Sequence, residues 1–444
     1  MNELIRVKFI ENENWDFKGA NTNYLTHGLH PYPARMVPQI AARLLERYAS
    51  PGDWALDPFC GSGTVLVEAR LHKINSIGLD INPLACLLAE VKSTPVEPNK
   101  LERSWRTLKV KISQEIGRLR FEGLKVKLPD FVGTNIEYWY KPLTIKELAI
   151  IRENIRSIDD DEVRKFFDVP FSLTARNVSG VKRGEYKLVR IPEKEWKRFS
   201  PNTFEEFVKN VEKALRLMKE FYEKCRNKKI ISKVFMADTR KMLSSQFPRE
   251  ANTLLLENPP KVIITSPPYG DSKTTVAYGQ FSRLSALWLS YEKGFDKRTI
   301  MSVDNLSLGG NVNNRIFKLN LPILHQVLEL IERNDIPRKG RSKDVRAFFS
   351  DLYECLKKMY QVLSRGGYCC IVIANRTVRR VQIPTHAIIA EMGVEIGFEN
   401  DIIIIPRKIP TKRLPWKNAP ENIPGLKGKT MAKENIIIMR KPRK

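Results

Sequence analysis

The chain reads as an α/β protein built on a mostly parallel sheet, and three stretches predict it. Trp54-Ala55-Leu56-Asp57 is a short apolar strand that runs into a glycine turn, Pro58-Phe59-Cys60-Gly61-Ser62-Gly63-Thr64, after which Val65 to Leu71 has helical spacing. Ser76-Ile77-Gly78-Leu79-Asp80 is a second apolar strand, and it ends in an acid. Val262-Ile263-Ile264 is a third, and it leaves the core straight into Thr265-Ser266-Pro267-Pro268-Tyr269-Gly270. Strand, turn and helix in repeated succession build a sheet covered by helices.

Residues 1–99 hold a helix from Val37 to Tyr48 and the first two strands with their helices. Residues 100–229 change character, with helical, charged segments at Leu101 to Leu119, Ile145 to Ile158 and Phe204 to Cys225. They form a mainly helical insertion, a candidate for recognition or substrate binding. In it Tyr138, Trp139 and Tyr140 offer rings to stack on bases, and Arg176, Lys182, Arg183, Lys187 and Arg190 offer charge for phosphates. Packing of a helix face accounts for the three aromatics equally well.

Residues 230–444 resume the sheet with a strand from Ile230 to Phe235. After the Pro-Pro turn, residues 271–346 have weak periodicity and read as a long loop, the sort that serves as lid or clamp. It includes Gly309-Gly310-Asn311 and the basic stretch Arg338 to Lys343. Phe348 to Leu363 is an amphipathic helix stopped by Arg365-Gly366-Gly367, and Tyr368 to Ala374 is a buried strand. Ile388 to Gly393, with Gly397 behind it, predicts a further helix, and Asp401 to Ile405 with Asn435 to Met439 predicts a closing antiparallel hairpin. Between those strands Arg407 to Lys433 is rich in Lys, Arg and Pro, which suits either a solvated loop or a nucleic-acid contact.

Seventy-six basic residues against 50 acidic ones leave a net charge of +26, which points to a polyanionic partner. High Lys and Glu content is also a thermophile trait, but that explains many charges and not their imbalance. The six cysteines have no Cys-x-x-Cys spacing and there are five histidines, so no zinc set is expected and the thiols read as buried and reduced. No apolar run is long enough for a membrane span and Met1 to Asn14 does not read as a signal peptide, so a soluble, cytoplasmic protein is expected.

Two local features carry chemistry. Successive prolines fix φ and remove N–H donors, so the carbonyls near Ser266 and Pro267 are held as acceptors. Ser266 Oγ and the Pro267 carbonyl suit the two hydrogens of an exocyclic amine on a base, with Tyr269 as a stacking face. In the glycine turn, Gly61 and Gly63 admit close approach of a ligand, and the helix start behind them suits a carboxylate or phosphate. Asp80 stands roughly 20 residues on, where an acid binds ribose hydroxyls; capping a helix that begins near Asn82-Pro83 is the other role open to it.

Asp57-Pro58-Phe59-Cys60-Gly61-Ser62-Gly63-Thr64 resembles motif I of the S-adenosylmethionine-dependent amino methyltransferases of nucleic acids, and Thr265-Ser266-Pro267-Pro268-Tyr269 resembles their motif IV. His30-Pro31-Tyr32-Pro33-Ala34-Arg35-Met36 is similar to motif X, and Met236-Ala237-Asp238-Thr239-Arg240 to motif III. The resemblance spans residues 24–95 and 230–440 with gaps. It implies a Rossmann-like class I methyltransferase fold, a mostly parallel seven-stranded sheet with a C-terminal antiparallel hairpin. The implied cofactor is S-adenosyl-L-methionine, held by His30, Tyr32, Pro33, Arg35, Asp57, Pro58, Phe59, Gly61, Gly63, Thr64, Asp80, Asn82 and Asp238, with Ser266, Pro267, Pro268 and Tyr269 as catalytic residues and no metal.

Within the family, Ser-Pro-Pro-Tyr is typical of cytosine N4 methylation, and Asp- or Asn-Pro-Pro-Tyr of adenine N6 or guanine N2. No Pro-Cys pair occurs, which sets cytosine C5 chemistry aside. DNA is the favoured substrate and structured RNA the alternative. One departure from the family pattern stands out, since the insertion precedes motif III, whereas the recognition unit normally follows it. A binding subunit that has lost catalysis is the reading from another class, and intact Asp57, Gly61, Gly63, Asp80 and Ser266 to Tyr269 speak against it.

Overall fold

A computed structural model describes residues 5–131, 134–226, 229–271, 275–311, 321–335, 340–409 and 433–444. Its strands are β1 (Arg6–Phe9), β2 (Trp54–Asp57), β3 (Asn75–Asp80), β4 (Ser232–Met236), β5 (Val262–Thr265), β6 (Tyr368–Ala374), β7 (Arg376–Val378), β8 (Val381–Ile383), β9 (Asp401–Lys408) and β10 (Lys433–Arg440). Eight of them make one sheet in the order β1-β9-β10-β6-β5-β2-β3-β4, and β7 with β8 forms a separate small hairpin. Strands β4, β3, β2, β5 and β6 run parallel, and β10 lies antiparallel between β6 and β9. This is the Rossmann-like class I methyltransferase order with one strand added. The addition, β1, pairs parallel with β9 at the sheet edge, and its four residues are all exposed, so no apolar alternation announces it.

Apolar runs make the central strands because both sheet faces are covered. On one face the helices Pro38–Tyr48 and Thr64–Leu71 bury Ile40, Leu44, Val65 and Leu66 against Ala55, Val262 and Ile264. On the other, Arg249–Glu257, Pro322–Arg333, Arg341–Val362 and Thr385–Ile396 pack against Leu56, Ile77, Ile263 and Ile371. Gly78 in β3 has no room for a side chain, since a Cβ would lie 2.8 Å from Leu66 and 3.1 Å from Cys60.

Helices Pro98–Phe121, Pro142–Arg156, Asp161–Asn177 and Thr203–Cys225 dominate residues 100–229 and bury Trp105, Phe166, Phe167, Phe171 and Phe207. That core is not closed on itself. It continues into Leu84, Leu87 and Leu88 of helix Pro83–Ser93 and into Leu284, Leu287 and Trp288 of helix Tyr278–Trp288. Trp288 is fully buried, with Phe131, Tyr140 and Phe171 edge-on around it. Within the aromatic triplet, Tyr140 is thus a core residue, Trp139 is half-buried and only Tyr138 is largely exposed.

Residues 271–346 differ from the loop expected. Their described part contains helices Tyr278–Trp288, Lys297–Leu306 and Pro322–Arg333. The first buries Gly279, Ser282 and Ser285 as well as its apolar residues, so it lacks the polar face that makes a helix legible. Arg341 begins the helix after it and pairs with Asp344 and with the buried Asp271. Most of the basic stretch between β9 and β10, residues 410–432, lies outside the described residues. Arg407 at its start is buried rather than solvated.

Candidate active site

The chain runs from β2 outward to β3 and β4, then returns to the other side of β2 with β5, which opens a crevice where the strand order reverses. At the strand ends there lies a cavity of about 870 Å³, its open mouth included. The glycine turn forms its floor, with Asp57 to Ser62 and Thr64 in the wall. Tyr32 to Met36 close one side, Asp80 to Asn82 and Ala237 to Arg240 another, and Ser266 with Pro268 stands at the β5 end.

Asp80 accepts the Gly61 N–H at 3.0 Å on one oxygen and the Asn82 N–H at 2.8 Å on the other. Helix Pro83–Ser93 is capped by Asn82, which accepts from Leu84 N at 3.1 Å, so capping is not the work of Asp80. Burial pushes the Asp80 carboxyl up to about 6, against the pull of those N–H groups. Asp57, at the end of β2, accepts from Thr265 Oγ1 at 2.6 Å and so ties the glycine turn to the end of β5. Burial raises it to about 7. Asn82 Nδ2 also donates to Tyr32 Oη at 3.1 Å and to Ser282 Oγ at 2.7 Å.

The two glycines of the turn do different things. Gly61 has φ +49° and lies under the Tyr32 ring, where a Cβ would sit 3.4 Å from it. Gly63 has φ +84° and lies outside the cavity wall, where a Cβ would meet Ala89 Cα at 2.7 Å. It sets the distance between helices Thr64–Leu71 and Pro83–Ser93. Beside it, Ser62 Oγ is buried in the wall and has no hydrogen-bond partner among the described residues.

Asp238 caps the short turn Thr239–Lys241 and is gripped by Arg240, Nη2 to Oδ2 at 2.8 Å and Nε to Oδ1 at 2.9 Å. Arg240 also reaches Asp351 at 2.9 Å and the Leu306 carbonyl at 2.7 Å. Its double ion pairing fixes Asp238 in the wall. Arg240 closes the motif III stretch with no role assigned to it there, and the motifs pass over Tyr278, Val303, Leu306, Ser307 and Leu308, which complete the wall. They arrive by tertiary folding from the stretch read as loop; only Arg240, two positions past Asp238, had a local signal.

Of the Pro-Pro turn, Ser266 and Pro268 face the cavity, while Pro267 and Tyr269 lie outside its wall. The Tyr269 hydroxyl donates to Glu434 Oε1 at 2.8 Å, and Ser266 Oγ donates to the Tyr269 oxygen at 3.4 Å. Glu434 is in turn paired with buried Arg407, whose Nε donates to the Trp15 carbonyl at 2.9 Å. His30 is buried behind the cavity, edge-on to Phe281, with its carbonyl taking the Lys92 ammonium at 3.0 Å. Burial holds its imidazole down at about 3, so it is neutral. Arg35, in the wall, donates to the carbonyls of His27 and Thr22 and shapes the motif X segment from behind.

Comparison with known proteins identifies the family. The family model described as DNA methylase, of N6 and N4 type, matches residues 8–91. Over 440 residues, 97% of this chain and 94% of the relative, the chain is 38% identical to Type II methyltransferase M.MvaI of Kocuria varians. The chain belongs to the S-adenosylmethionine-dependent DNA amino methyltransferases. Type II methyltransferase M.BsoBI of Geobacillus stearothermophilus is 23% identical over 468 residues, 95% of this chain and 87% of that one. Among solved structures, the rRNA methyltransferase aviRa from Streptomyces viridochromogenes superposes with a TM-score of 0.31 at 11% identity, covering 93% and 88% of the two chains.

The residues present fit the family's cofactor, a nucleoside joined to an amino acid. Asp80 would accept from ribose hydroxyls and Asp238 from an adenine amine, and the buried Ser62 hydroxyl at a helix start, with no partner among the described residues, would donate to a carboxylate. Among the described residues no three His, Cys, Asp or Glu side chains gather as a metal site, and no helix is long and apolar enough to cross a membrane.

Proposed function

We propose that this DNA amino methyltransferase methylates the exocyclic N4 of cytosine in duplex DNA. The observation that carries the reading is Ser266, rather than Asp or Asn, at the head of the Pro-Pro-Tyr turn and in the cavity wall. The N4 amine is a weak nucleophile because its lone pair is delocalised into the ring. Acceptors at Ser266 Oγ and the Pro267 carbonyl would draw its hydrogens out of the ring plane and take up the positive charge that develops.

The polarity of the turn supports that role. Tyr269 donates to Glu434 and Ser266 donates to the Tyr269 oxygen, which leaves the Ser266 lone pairs to accept from an amine. At 3.4 Å the Ser266 contact is long, as catalytic contacts often are before substrate closes the site. S-adenosylmethionine, when bound, supplies an electrophilic methyl group. Asp57 and Thr265 fix the distance between the glycine turn and the Pro-Pro turn, which would hold the base amine at a set distance from the methyl group. In a duplex the base must first rotate out of the stack.

Incubation of the protein with methyl-labelled S-adenosylmethionine and, separately, duplex DNA and ribosomal RNA tests the substrate. The expected outcome is label in DNA that disappears with Ser266→Ala. Label in RNA alone would overturn the reading.

A further inference from the structure

Residues 181–190 form a narrow hairpin-like loop closed by a bridge between Val181 and Arg190 and by the Lys182 N–H to the Val189 carbonyl at 2.7 Å. Its tip, Lys182 to Lys187, is exposed. The two ends of the loop are mounted rigidly. The Arg190 guanidinium lies over the rings of Tyr138 and Trp196, at 4.5 and 4.3 Å. Gly180 passes so close to Trp196 that a Cβ would lie 2.7 Å from the indole, and its N–H donates to the Trp139 carbonyl at 2.6 Å.

The other side of the loop is fastened to the catalytic half of the molecule. Arg176 donates to the Glu185 carbonyl and to the Phe281 carbonyl, both at 2.9 Å, and its guanidinium lies 4.0 Å over the Phe281 ring. Leu188 N donates to Gln280 Oε1 at 3.2 Å, and Tyr186 sets its ring edge against Phe281. Helix Tyr278–Trp288 is the first after the Ser-Pro-Pro-Tyr turn, and Tyr278 in its first turn lines the cavity and stacks on Tyr32. An insertion loop is therefore clamped beside the mouth of the active site.

Its basic residues divide by use. Arg176 and Arg190 are spent on the mounting, whereas Lys182, Arg183 and Lys187 project with no ion pair among the described residues. Elsewhere in the insertion half-buried lysines have acids against them, Lys100 with Asp160, Lys109 with Glu212 and Lys165 with Glu90, whereas exposed Lys111, Lys146 and Lys194 share the loop's lack of an ion pair among the described residues but have no comparable mounting. A solvated loop needs no such mounting. A loop that must present three cations to a polyanion gains from it, because the ordering cost is met before binding. We infer that the 181–190 loop grips backbone phosphates of the DNA duplex next to the target base, through Lys182, Arg183 and Lys187. The inference rests on DNA as substrate.

The full-length protein carrying Lys182→Ala, Arg183→Ala and Lys187→Ala together, titrated with a fluorescent duplex at several salt concentrations, tests it. Each phosphate that the protein no longer neutralises lowers the slope of log affinity against log salt by about 0.9, so three phosphates lower it by about 2.7, and affinity at moderate salt drops roughly 100-fold. S-adenosylmethionine affinity and melting temperature should not move. A control variant with Lys209, Lys219 and Lys224 replaced by Ala removes equal charge from helix Thr203–Cys225 and should weaken binding far less. Unchanged binding by the loop variant, or an equal drop in the control, would overturn the assignment while leaving DNA as the substrate. A wild-type protein that binds structured RNA and not duplex DNA would overturn both.

Discussion

Tyr269 and Glu434 are joined by a 2.8 Å hydrogen bond that ties the Pro-Pro-Tyr turn after β5 to the first residues of β10. The phenol sets the direction of the Ser266 hydroxyl, so its loss should be felt in chemistry rather than in cofactor binding. Tyr269→Phe keeps the ring and removes the oxygen. The expected result is a fall in kcat of about tenfold and a stability loss of about 1 kcal/mol, the net worth of one hydrogen bond. Calorimetry should give the wild-type affinity for S-adenosylmethionine.

Asp80 gives the cofactor site a pH dependence. In the role assigned to Asp80, ribose hydroxyls would donate to the ionised carboxylate, and burial raises its pKa to about 6. Affinity for S-adenosylmethionine should therefore fall as pH drops through about 6 and level off above it. Asp80→Asn should bind roughly 10- to 100-fold more weakly and lose that step, since a carboxylate hydrogen bond is worth about 1.5–3 kcal/mol.

Stability of the unliganded protein should run the opposite way. Asp57 titrates at about 7 in the fold against 3.8 as an ordinary carboxyl. The folded state thus holds a proton that the unfolded chain has released, and its stabilising contribution is complete at low pH and lost as pH rises from 3.8 to about 7. Urea midpoints for wild type and Asp57→Asn should converge in acid and separate above neutral pH, with the asparagine variant the more stable there by this term.

Ser62→Ala separates binding from folding. The wild-type hydroxyl is buried without a partner, so its removal should leave stability unchanged or improve it by up to ~1 kcal/mol. Cofactor affinity should fall by roughly five- to tenfold, the worth of about one hydrogen bond. Thermal melts in the absence and presence of S-adenosylmethionine check both.

Gly63→Ala should act on the fold alone. The position combines φ +84° with a Cβ 2.7 Å from the Ala89 backbone, so strain and overpacking add. A loss of ~2–5 kcal/mol is expected in denaturant unfolding.

The parts of the molecule that announce themselves in the sequence are those where punctuation and burial coincide. β2, β3 and β5 are largely buried on both faces and run into the glycine turn, Asp80 or the prolines, so each strand and its turn can be located from local residues. β1 is exposed along its whole length and has no such pattern. Helix Asp161–Asn177 carries Pro170 inside it, which reads locally as a break. Helix Tyr278–Trp288 is buried on nearly every side, with serines and a glycine among its core contacts, so it shows no amphipathic stripe. Tyr278 and Leu306 join the cavity because distant segments fold onto the strand ends, a relationship no spacing within either segment reveals. His30, read as a cofactor residue, lies behind the cavity because Lys92 and Phe281 enclose it.

The most direct measurement is the identity of the methylated nucleoside. Duplex DNA treated with the protein and S-adenosylmethionine, digested to nucleosides and analysed by mass spectrometry, should yield N4-methyldeoxycytidine. N6-methyldeoxyadenosine in its place would contradict the role assigned to Ser266.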